Sequence, residues 1–261
     1  MLPWSKFRSK STLDHRHFAD SSQLANGASP LLPCLEDNLQ QIRVQFGQSP
    51  DITIRQFEVG ATFTPVAVIY TDGIIDKDLV NTFILHSLMI DSEREDFERL
   101  SKEKGIFEFI RTNALTVGEV KVVDNWNGVI LSILSGDTVI LLDDNTHAMV
   151  CGTRGGEMRG VTEPTSQVVI RGPKDGFNES IGTNVALVRR RIRSSNLWLE
   201  PMKIGTVTQT DVAFMYIKGI ANDKIVEEVR YRLQQINFDS ILESGYIEQL
   251  IQDKTYTFFQ P

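Results

Sequence analysis

The sequence has few of the residues that build metal sites and disulfides, and it has no long apolar run. Its 261 residues include two cysteines and four histidines. Cys34 and Cys151 lack C-x-x-C spacing and have no His pair nearby, which predicts two buried thiols in a reducing compartment. Because no stretch approaches about 18 consecutive apolar residues, the sequence predicts no membrane span. The N-terminus also lacks the apolar core of a signal peptide.

Catalytic and cofactor-binding motifs are absent too. The sequence contains no H-E-x-x-H, G-x-S-x-G, G-x-x-x-x-G-K-[ST] or G-x-G-x-x-G pattern. His15 and His17 fall in a polar tail, and His86 and His147 have apolar neighbours. A hairpin turn explains Asp143–Asn145 without calcium. We therefore predict that the protein is not an enzyme and uses no metal or other cofactor.

The balance of charge argues against a nucleic-acid partner. The formal net charge is −7, and a chain this acidic has no general attraction for phosphate backbones. Hydrophobic residues make up 41% of the chain and charged residues 23%, proportions that fit a folded core with a solvated surface.

One stretch of the sequence occurs twice with small differences. Residues 66–74 read VAVIYTDGI, and residues 212–220 read VAFMYIKGI, 146 positions later. Over fifteen aligned positions six residues are identical. Each copy predicts a short buried strand, a glycine turn and a helix, whose N-cap falls at Asp76–Asp78 in one copy and Asn222–Lys224 in the other.

The similarity continues upstream of both copies. Strands ending FEVG at 57–60 and MKIG at 202–205 precede them, and a one-residue gap is needed to align these glycines. Asn38 and Arg43 also match Asn184 and Arg189 at the same offset of 146. Strand–glycine–helix units are common, so chance is the alternative. We favour an internal duplication, because repetition of one supersecondary unit is a fold-level signal.

These patterns predict an α/β fold of two related α-β-β-α subdomains with a cleft between them. Predicted helices cover 34–47, 76–90, 178–193, 222–235 and 245–252, with another beginning at Trp126. Predicted strands cover 52–59, 66–71, 167–170, 197–204 and 212–217, with a hairpin around Asp144-Asn145. The predicted boundaries are a disordered tail at 1–29, subdomain 1 at 30–152, a Gly-rich linker at 153–166 and subdomain 2 at 167–261.

The segment 168–193, VVIRGPKDGFNESIGTNVALVRRRIR, has an unusual density of positive charge. Six basic residues accompany only Asp175 and Glu179. A Gly/Pro-rich loop entering a helix at Asn178 is typical of an anion pocket. However, successive residues on a helix point about 100° apart, so Arg189, Arg190 and Arg191 cannot all serve one ligand. We favour ion pairs with carboxylates across the subdomain boundary.

The same segment resembles the hallmark of the A subunit of GerA-type spore germinant receptors. That family reads Glu-Pro, then V-R-G-P-[RK]-x-G-F-x-E, then N-x-x-L-I-R-R-R-[IL]. The matching residues are Glu163, Pro164, Arg171, Gly172, Pro173, Gly176, Phe177, Glu179, Asn184, Leu187, Arg189, Arg190 and Arg191. ILSGDTVILLD at 133–143 and ILESGYIEQLIQD at 241–253 also fit, so the resemblance covers about residues 30–261.

This resemblance implies the soluble N-terminal region of a nutrient receptor subunit in the spore inner membrane, on the cytoplasmic (core) side. The implied partners are receptor B and C subunits and further A subunits. The family's A subunit continues into membrane-spanning helices and, before them, into a second segment like ILSGDTVILLD, so the chain is expected to be an engineered fragment or a truncated gene product. Ten residues of the motif are the candidate interface, coupling or ligand residues: Arg171, Gly172, Pro173, Gly176, Phe177, Glu179, Asn184, Arg189, Arg190 and Arg191.

Two functional hypotheses remain open from the sequence. In the first, the region is a non-enzymatic module that assembles with partner subunits and relays nutrient sensing. In the second, the cleft between the subdomains binds the small-molecule nutrient itself. A flat, filled contact between the subdomains favours the first hypothesis, and a deep, partly apolar pocket favours the second.

Overall fold

The computed structural model describes residues 29–59, 63–89, 105–115, 118–156 and 176–253. The predicted tail up to residue 28, the linker from residue 157 and the predicted strand 167–170 lie outside these ranges. Arg171, Gly172 and Pro173 lie outside them as well. Helices and strands together confirm the predicted α/β class.

The first part of the chain builds a five-stranded antiparallel sheet. Helix α1 (Leu35–Gln45) precedes β1 (Ile52–Val59) and β2 (Thr64–Thr71). A π-helical stretch, Leu79–Leu85, continues into α2 (His86–Met89), and α3 (Ile106–Phe109) continues into the π-helical stretch Ile110–Ala114. The remaining elements are β3 (Val120–Val123), α4 (Trp126–Ser135), β4 (Thr138–Leu142) and β5 (Ala148–Cys151).

The strands of this sheet lie in the order β1-β2-β4-β5-β3, and helices cover both of its faces. One face, with Val66 and Val68 of β2, packs on the stretch Leu79–Leu85 and on α3. The other face, with Ala67 and Ile69, packs on α1 and α4. Alternate residues of a strand point to opposite faces, so a strand buried on both reads as an unbroken apolar run.

In the second part of the chain, the described residues form one two-stranded sheet. Helix α5 (Ile181–Arg191) leads into the antiparallel hairpin of β6 (Leu197–Ile204) and β7 (Thr210–Ile217). Helices α6 (Asp223–Gln235) and α7 (Ser244–Ile251) follow. Ile204, Leu233 and Ile241 are the buried centre of this part, a much smaller core than either cluster of the first part.

Both parts run in the order helix, strand, strand, helix, and they share local details at an offset of 146 residues. Gly73 and Gly219 both have positive φ, +81° and +88°, which favours glycine. Asp76 and Asn222 both accept hydrogen bonds from the first backbone N–H groups of the helix that follows. The predicted N-caps are therefore confirmed at these two positions.

Two asparagine side chains form the same hydrogen-bonded ring. The Asn38 amide donates to the Leu32 carbonyl at 2.6 Å and accepts from the Leu32 N–H at 3.0 Å. The Asn184 amide donates to the Asn178 carbonyl at 2.7 Å and accepts from the Asn178 N–H at 2.8 Å. Each ring fixes the chain six residues before the asparagine, which sets the approach to α1 and to α5.

Several predictions needed correction. The helix predicted from Asn178 begins at Ile181, because the Ser180 side chain caps it by accepting the Thr183 N–H. Cys34 is exposed rather than buried, since it immediately precedes α1 at the surface. The helix predicted at 76–90 is helical from residue 77, as expected, but its middle, Leu79–Leu85, is π-helical. Neither α3 nor β3 was predicted, and both are only four residues long.

Candidate functional site

A buried ion pair joins the two parts of the chain. Arg189, in the last turn of α5, is 1% exposed, and Asp51, just before β1, is 8% exposed. Arg189 Nε donates to Asp51 Oδ2 at 2.6 Å, and Nη2 donates to Oδ1 at 3.0 Å. Nη1 donates to the Leu197 carbonyl at 2.6 Å. The predicted pairing across the two parts is confirmed for Arg189.

The geometry of this pair offsets the cost of burying two charges. An isolated buried charge loses several kcal/mol of hydration, which is recovered only through close pairing and further hydrogen bonds. The planar guanidinium meets the carboxylate through two parallel bonds and uses its third nitrogen on a backbone carbonyl. Throughout the described ranges, every buried side-chain nitrogen and oxygen has a hydrogen-bond partner.

Other hydrogen bonds extend the contact along both sides of the ion pair. Ser49 Oγ accepts the Leu199 N–H of β6 at 3.0 Å. The Trp198 indole donates to the Gln45 carbonyl at the end of α1, at 3.4 Å. A Cβ at Gly47 would overlap the Trp198 ring, so only glycine lets the chain pass beneath it. Side chains fill this zone of the contact between the two parts of the chain.

The next arginine contacts backbone rather than carboxylate. Arg190 Nη2 donates to the Gly155 carbonyl at 2.8 Å and to the Gly73 carbonyl at 3.4 Å. Gly73 lies against α5, since a Cβ there would stand 3.0 Å from the Ala186 methyl group. Arg191 is exposed to solvent. The three arginines thus point in different directions, as helical geometry predicts, and two of them hold α5 to the first part.

The remaining predicted site residues lie near the start of α5. The Phe177 side chain is 69% exposed, and Gly176 is partly buried. Glu179 is exposed and precedes the helix, so the prediction of a helix over 178–193, which includes it, is wrong at this residue. Asn184 forms the ring with Asn178. The structure therefore brings Asn184, Arg189 and Arg190 together on one helix and leaves Phe177 on the surface.

A cavity of about 740 Å³ lies beside this contact. It is bounded by the turn after β2, the first turns of α5 and the β6–β7 hairpin, including Leu199, Pro201 and Ala213. Two of its carboxylates are already engaged: Asp72 accepts from the Gly73 N–H and the Lys77 ammonium, and Asp76 caps the following helix. No cluster of residues with the make-up of a metal site occurs within the described ranges.

A second group of charged and polar side chains links the β6–β7 hairpin to α6. Arg230 of α6 donates to both Glu200 carboxylate oxygens at 2.7 Å, and the Tyr216 hydroxyl donates to the same carboxylate at 2.8 Å. The hydrogen bonds from Arg230 lower the pKa of Glu200. Burial, followed by the bond to Glu200, raises the pKa of Tyr216 to about 12. The sequence pattern did not indicate this group, because its members lie on three separate elements.

Comparison with known proteins shows what this architecture belongs to. The family described as Bacillus/Clostridium GerA spore germination protein matches residues 40–261. "Spore germination protein KA" of Bacillus subtilis (strain 168) is 39% identical over 228 residues, covering 87% of this chain and 41% of that protein. "Spore germination protein GerLA" of Bacillus cereus is 35% identical over 229 residues, covering 86% of this chain and 45% of that protein.

A solved structure matches the fold directly. The N-terminal domain of the A subunit of the Bacillus megaterium spore germinant receptor GerK3 is 42% identical, with a TM-score of 0.64. The match covers 89% of this chain and 83% of that one. This chain spans less than half the length of the curated relatives described above. In the described part of the chain, no helix is long and apolar enough to cross a bilayer. The chain belongs to the GerA family of spore germination proteins and corresponds to the N-terminal domain of a germinant receptor A subunit.

Proposed function

We propose that this chain is a module of a nutrient germinant receptor that assembles with partner subunits and relays nutrient sensing during spore germination. The observation that carries the proposal is the 42% identity to the N-terminal domain of a germinant receptor A subunit, over 89% of this chain. The implied partners are the receptor's B and C subunits and further A subunits. The module is held at the spore inner membrane, on the core side, through parts of the receptor outside this region.

The relay would pass through the contact between the two parts of the chain. Arg189 and Arg190 lie on one helix and bind two segments of the first part, at Asp51 and Gly73, and the backbone that follows β5, at Gly155. If a partner subunit displaced α5, the backbone at Asp51, Gly73 and Gly155 would therefore be displaced as well. Packed contacts of this kind have discrete arrangements and transmit small shifts.

The module is proposed to be an internal duplication, with subdomain 1 at 30–152 and subdomain 2 at 167–261. The two asparagine rings support this origin, because both side chains and both of their backbone partners lie 146 residues apart. The packing agrees with it. Val66 and Val68 face the helical stretch after β2, and their counterparts Val212 and Phe214 pack in the cluster with Leu233 of α6.

Binding of the nutrient is not assigned to this module. The cavity beside α5 is large enough to hold a small molecule. However, its carboxylates Asp72 and Asp76 already accept hydrogen bonds from neighbouring groups. No buried polar side-chain atom of the described residues is left without a partner to receive a ligand. The filled contact around Arg189 agrees better with assembly and relay.

Co-purification from spores tests the assembly proposal. A receptor whose A subunit carries an affinity tag and an intact copy of this module should retain B and C subunits after mild solubilisation. Deletion of residues 30–261 should abolish their recovery and the response to nutrient. Undiminished recovery of both subunits together with a normal nutrient response would contradict the proposal.

A further inference from the structure

The helix after β2 is wound differently from the helix that holds the same place in the second part. Residues 77–89 are helical throughout, and the stretch Leu79–Leu85 within them is π-helical. Helix α6, at an offset of 146 residues, is α-helical over its whole length, Asp223–Gln235. A π-helix is rare, mostly spans a single turn and is frequent at functional sites. The stretch Leu79–Leu85 is therefore a candidate for conformational change.

The winding decides which of two large apolar side chains enters the core. In the structure Leu85 is 5% exposed and Phe83 is 40% exposed. Each residue turns by about 100° in an α-helix and by about 80° in a π-helix, whose hydrogen bonds span five residues. Measured from the buried Val80, Leu85 stands about 40° away in a π-helix and about 140° away in an α-helix. Phe83 stands about 120° away in a π-helix and about 60° away in an α-helix, whereas Ile84 stands about 40° away in both.

Helix α6 shows the alternative arrangement. The counterpart of Phe83 is Val229, which packs against the buried cluster of the second part. The counterpart of Leu85 is Tyr231, which is 59% exposed. The α-helical copy therefore turns inwards the position that the π-helical copy turns outwards. Because Phe83 and Leu85 are both large and apolar, either winding of the first helix buries a similar apolar area.

We infer that residues 77–89 form a two-state switch between a π-helical and an α-helical register. The structure holds the π-helical register, with Leu85 in the core. In the α-helical register Phe83 is in the core and Leu85 is at the surface. The change rotates α2 about the helix axis, because each residue of Leu79–Leu85 then contributes a larger turn. Helix α2 contacts β1 and the second π-helical stretch, Ile110–Ala114, so the rotation reaches both.

The start of this helix is tied to the contact that α5 makes with the first part. Asp76, which caps the helix, donates its own N–H to the Thr153 carbonyl at 2.8 Å. Arg190 of α5 binds the backbone on either side of this point, at Gly73 and at Gly155. Packed elements with two discrete arrangements amplify small shifts, so a shift of α5 biases the register. For its role the switch rests on the relay proposed above, and it names the element that receives the shift.

Fluorine NMR of the chain tests the switch without germination, so its outcome is independent of the relay. 4-Fluorophenylalanine replaces Phe83, which preserves the ring, and a neutral gadolinium chelate in solution enhances the fluorine relaxation of exposed rings. The test variant is Leu85→Ala, which removes the side chain that the π-helical register buries. The matched control is Ile84→Ala, because Ile84 faces the core in either register.

In the unchanged chain, the fluorine at position 83 should be strongly relaxed by the chelate, since the ring is exposed. In Leu85→Ala this enhancement should fall by about threefold or more, as a shift of most of the population to the α-helical register implies, while Ile84→Ala should leave it unchanged. A ring that stays exposed in a folded Leu85→Ala chain would overturn the inference. Equal protection of the ring in both variants would also overturn it, because general collapse around a cavity would explain the result. Unfolding of Leu85→Ala in circular dichroism, with Ile84→Ala still folded, would show that the α-helical register does not support the fold and would reject the switch.

Discussion

Asn38 and Asn184 stand 146 positions apart, and each closes two hydrogen bonds onto the backbone of the residue six positions before it. The rings set the path by which the chain enters α1 and α5, so they connect a repeated sequence feature to the placement of the arginine helix. Asn38 is 1% exposed, whereas Asn184 is only partly buried. Water can therefore replace part of the Asn184 ring but not the Asn38 ring.

We predict that Asn38→Ala lowers the free energy of unfolding by about 1–3 kcal/mol, because it leaves the Leu32 backbone groups without partners. Asn184→Ala should cost less, since its ring is more accessible to water. Urea unfolding of both variants measures the two values, and Gln40→Ala, an exposed change on the same helix, is the matched control. If Gln40→Ala and Asn38→Ala lowered the free energy of unfolding equally, the hydrogen-bonded ring would not be the cause of the loss.

The buried ion pair should be the most sensitive charged contact of the chain. Arg189→Ala leaves Asp51 buried and unpaired, so the free energy of unfolding should fall by about 3–5 kcal/mol. Arg193→Ala, an exposed change two residues after the same helix, should alter it by less than about 0.5 kcal/mol. The double variant Asp51→Leu/Arg189→Met should regain most of the loss, because it leaves no buried charge. Thermal or urea unfolding measures the free energy of unfolding of all three variants. An Arg189→Ala variant as stable as the original chain would contradict the pairing.

The Glu200 group gives the C-terminal hairpin a dependence on pH. Bonding to Arg230 lowers the pKa of Glu200 from its ordinary value of 4.5, so its contribution to stability is present above that value and is lost as the pH falls through the lowered one. We predict that the stability difference between the chain and its Glu200→Gln variant shrinks steadily below about pH 4.5. Urea midpoints between pH 7 and pH 3 measure it. A difference that stays constant over this range would show that the charge of Glu200 contributes nothing.

The two cysteines should differ sharply in reactivity. Cys34 is exposed, whereas Cys151 is 0% exposed and burial raises its pKa to about 12. Because the thiolate is the reactive form, an alkylating reagent near pH 8 should label Cys34 and leave Cys151 unlabelled until the protein unfolds. Mass spectrometry counts the labels, and Cys34→Ser should abolish labelling of the folded chain. Rapid labelling of Cys151 in that variant would show that β3, the edge strand beside β5, separates from the sheet.

The repeated line VAVIYTDGI was enough to predict strands β2 and β7 and the helices that follow them, because period and turn chemistry are local properties. Their exposure was not predictable in the same way. Val68 is buried and Phe214 half-buried through tertiary partners that lie far along the chain. Short elements such as β3 carry too few residues for a pattern to stand out.

The site shows the same division between local and tertiary information. The arginine-rich helix was visible as a sequence feature, and its divergent directions follow from helical geometry. The partner of Arg189 could not be identified from the sequence. Asp51 is 138 residues away and resembles an ordinary loop carboxylate before a strand. Phe177 and Glu179 were selected with Arg189 from one motif, yet both are exposed, which leaves an interface role for them as a prediction.

Relay through α5 is the central claim, and Arg190 tests it most directly because its bonds to Gly73 and Gly155 are only partly buried and can be removed at modest cost to folding. The measurement is the rate of nutrient-triggered germination of spores whose receptor carries Arg190→Ala, compared with Arg193→Ala at equal receptor abundance. The account predicts that Arg190→Ala slows germination by about 2- to 30-fold, the range for a lost coupling of about 0.5–2 kcal/mol, while spores with Arg193→Ala, an exposed change after α5, germinate normally. Germination of Arg190→Ala spores at the unchanged rate, or a slowing matched entirely by lost receptor, would contradict it.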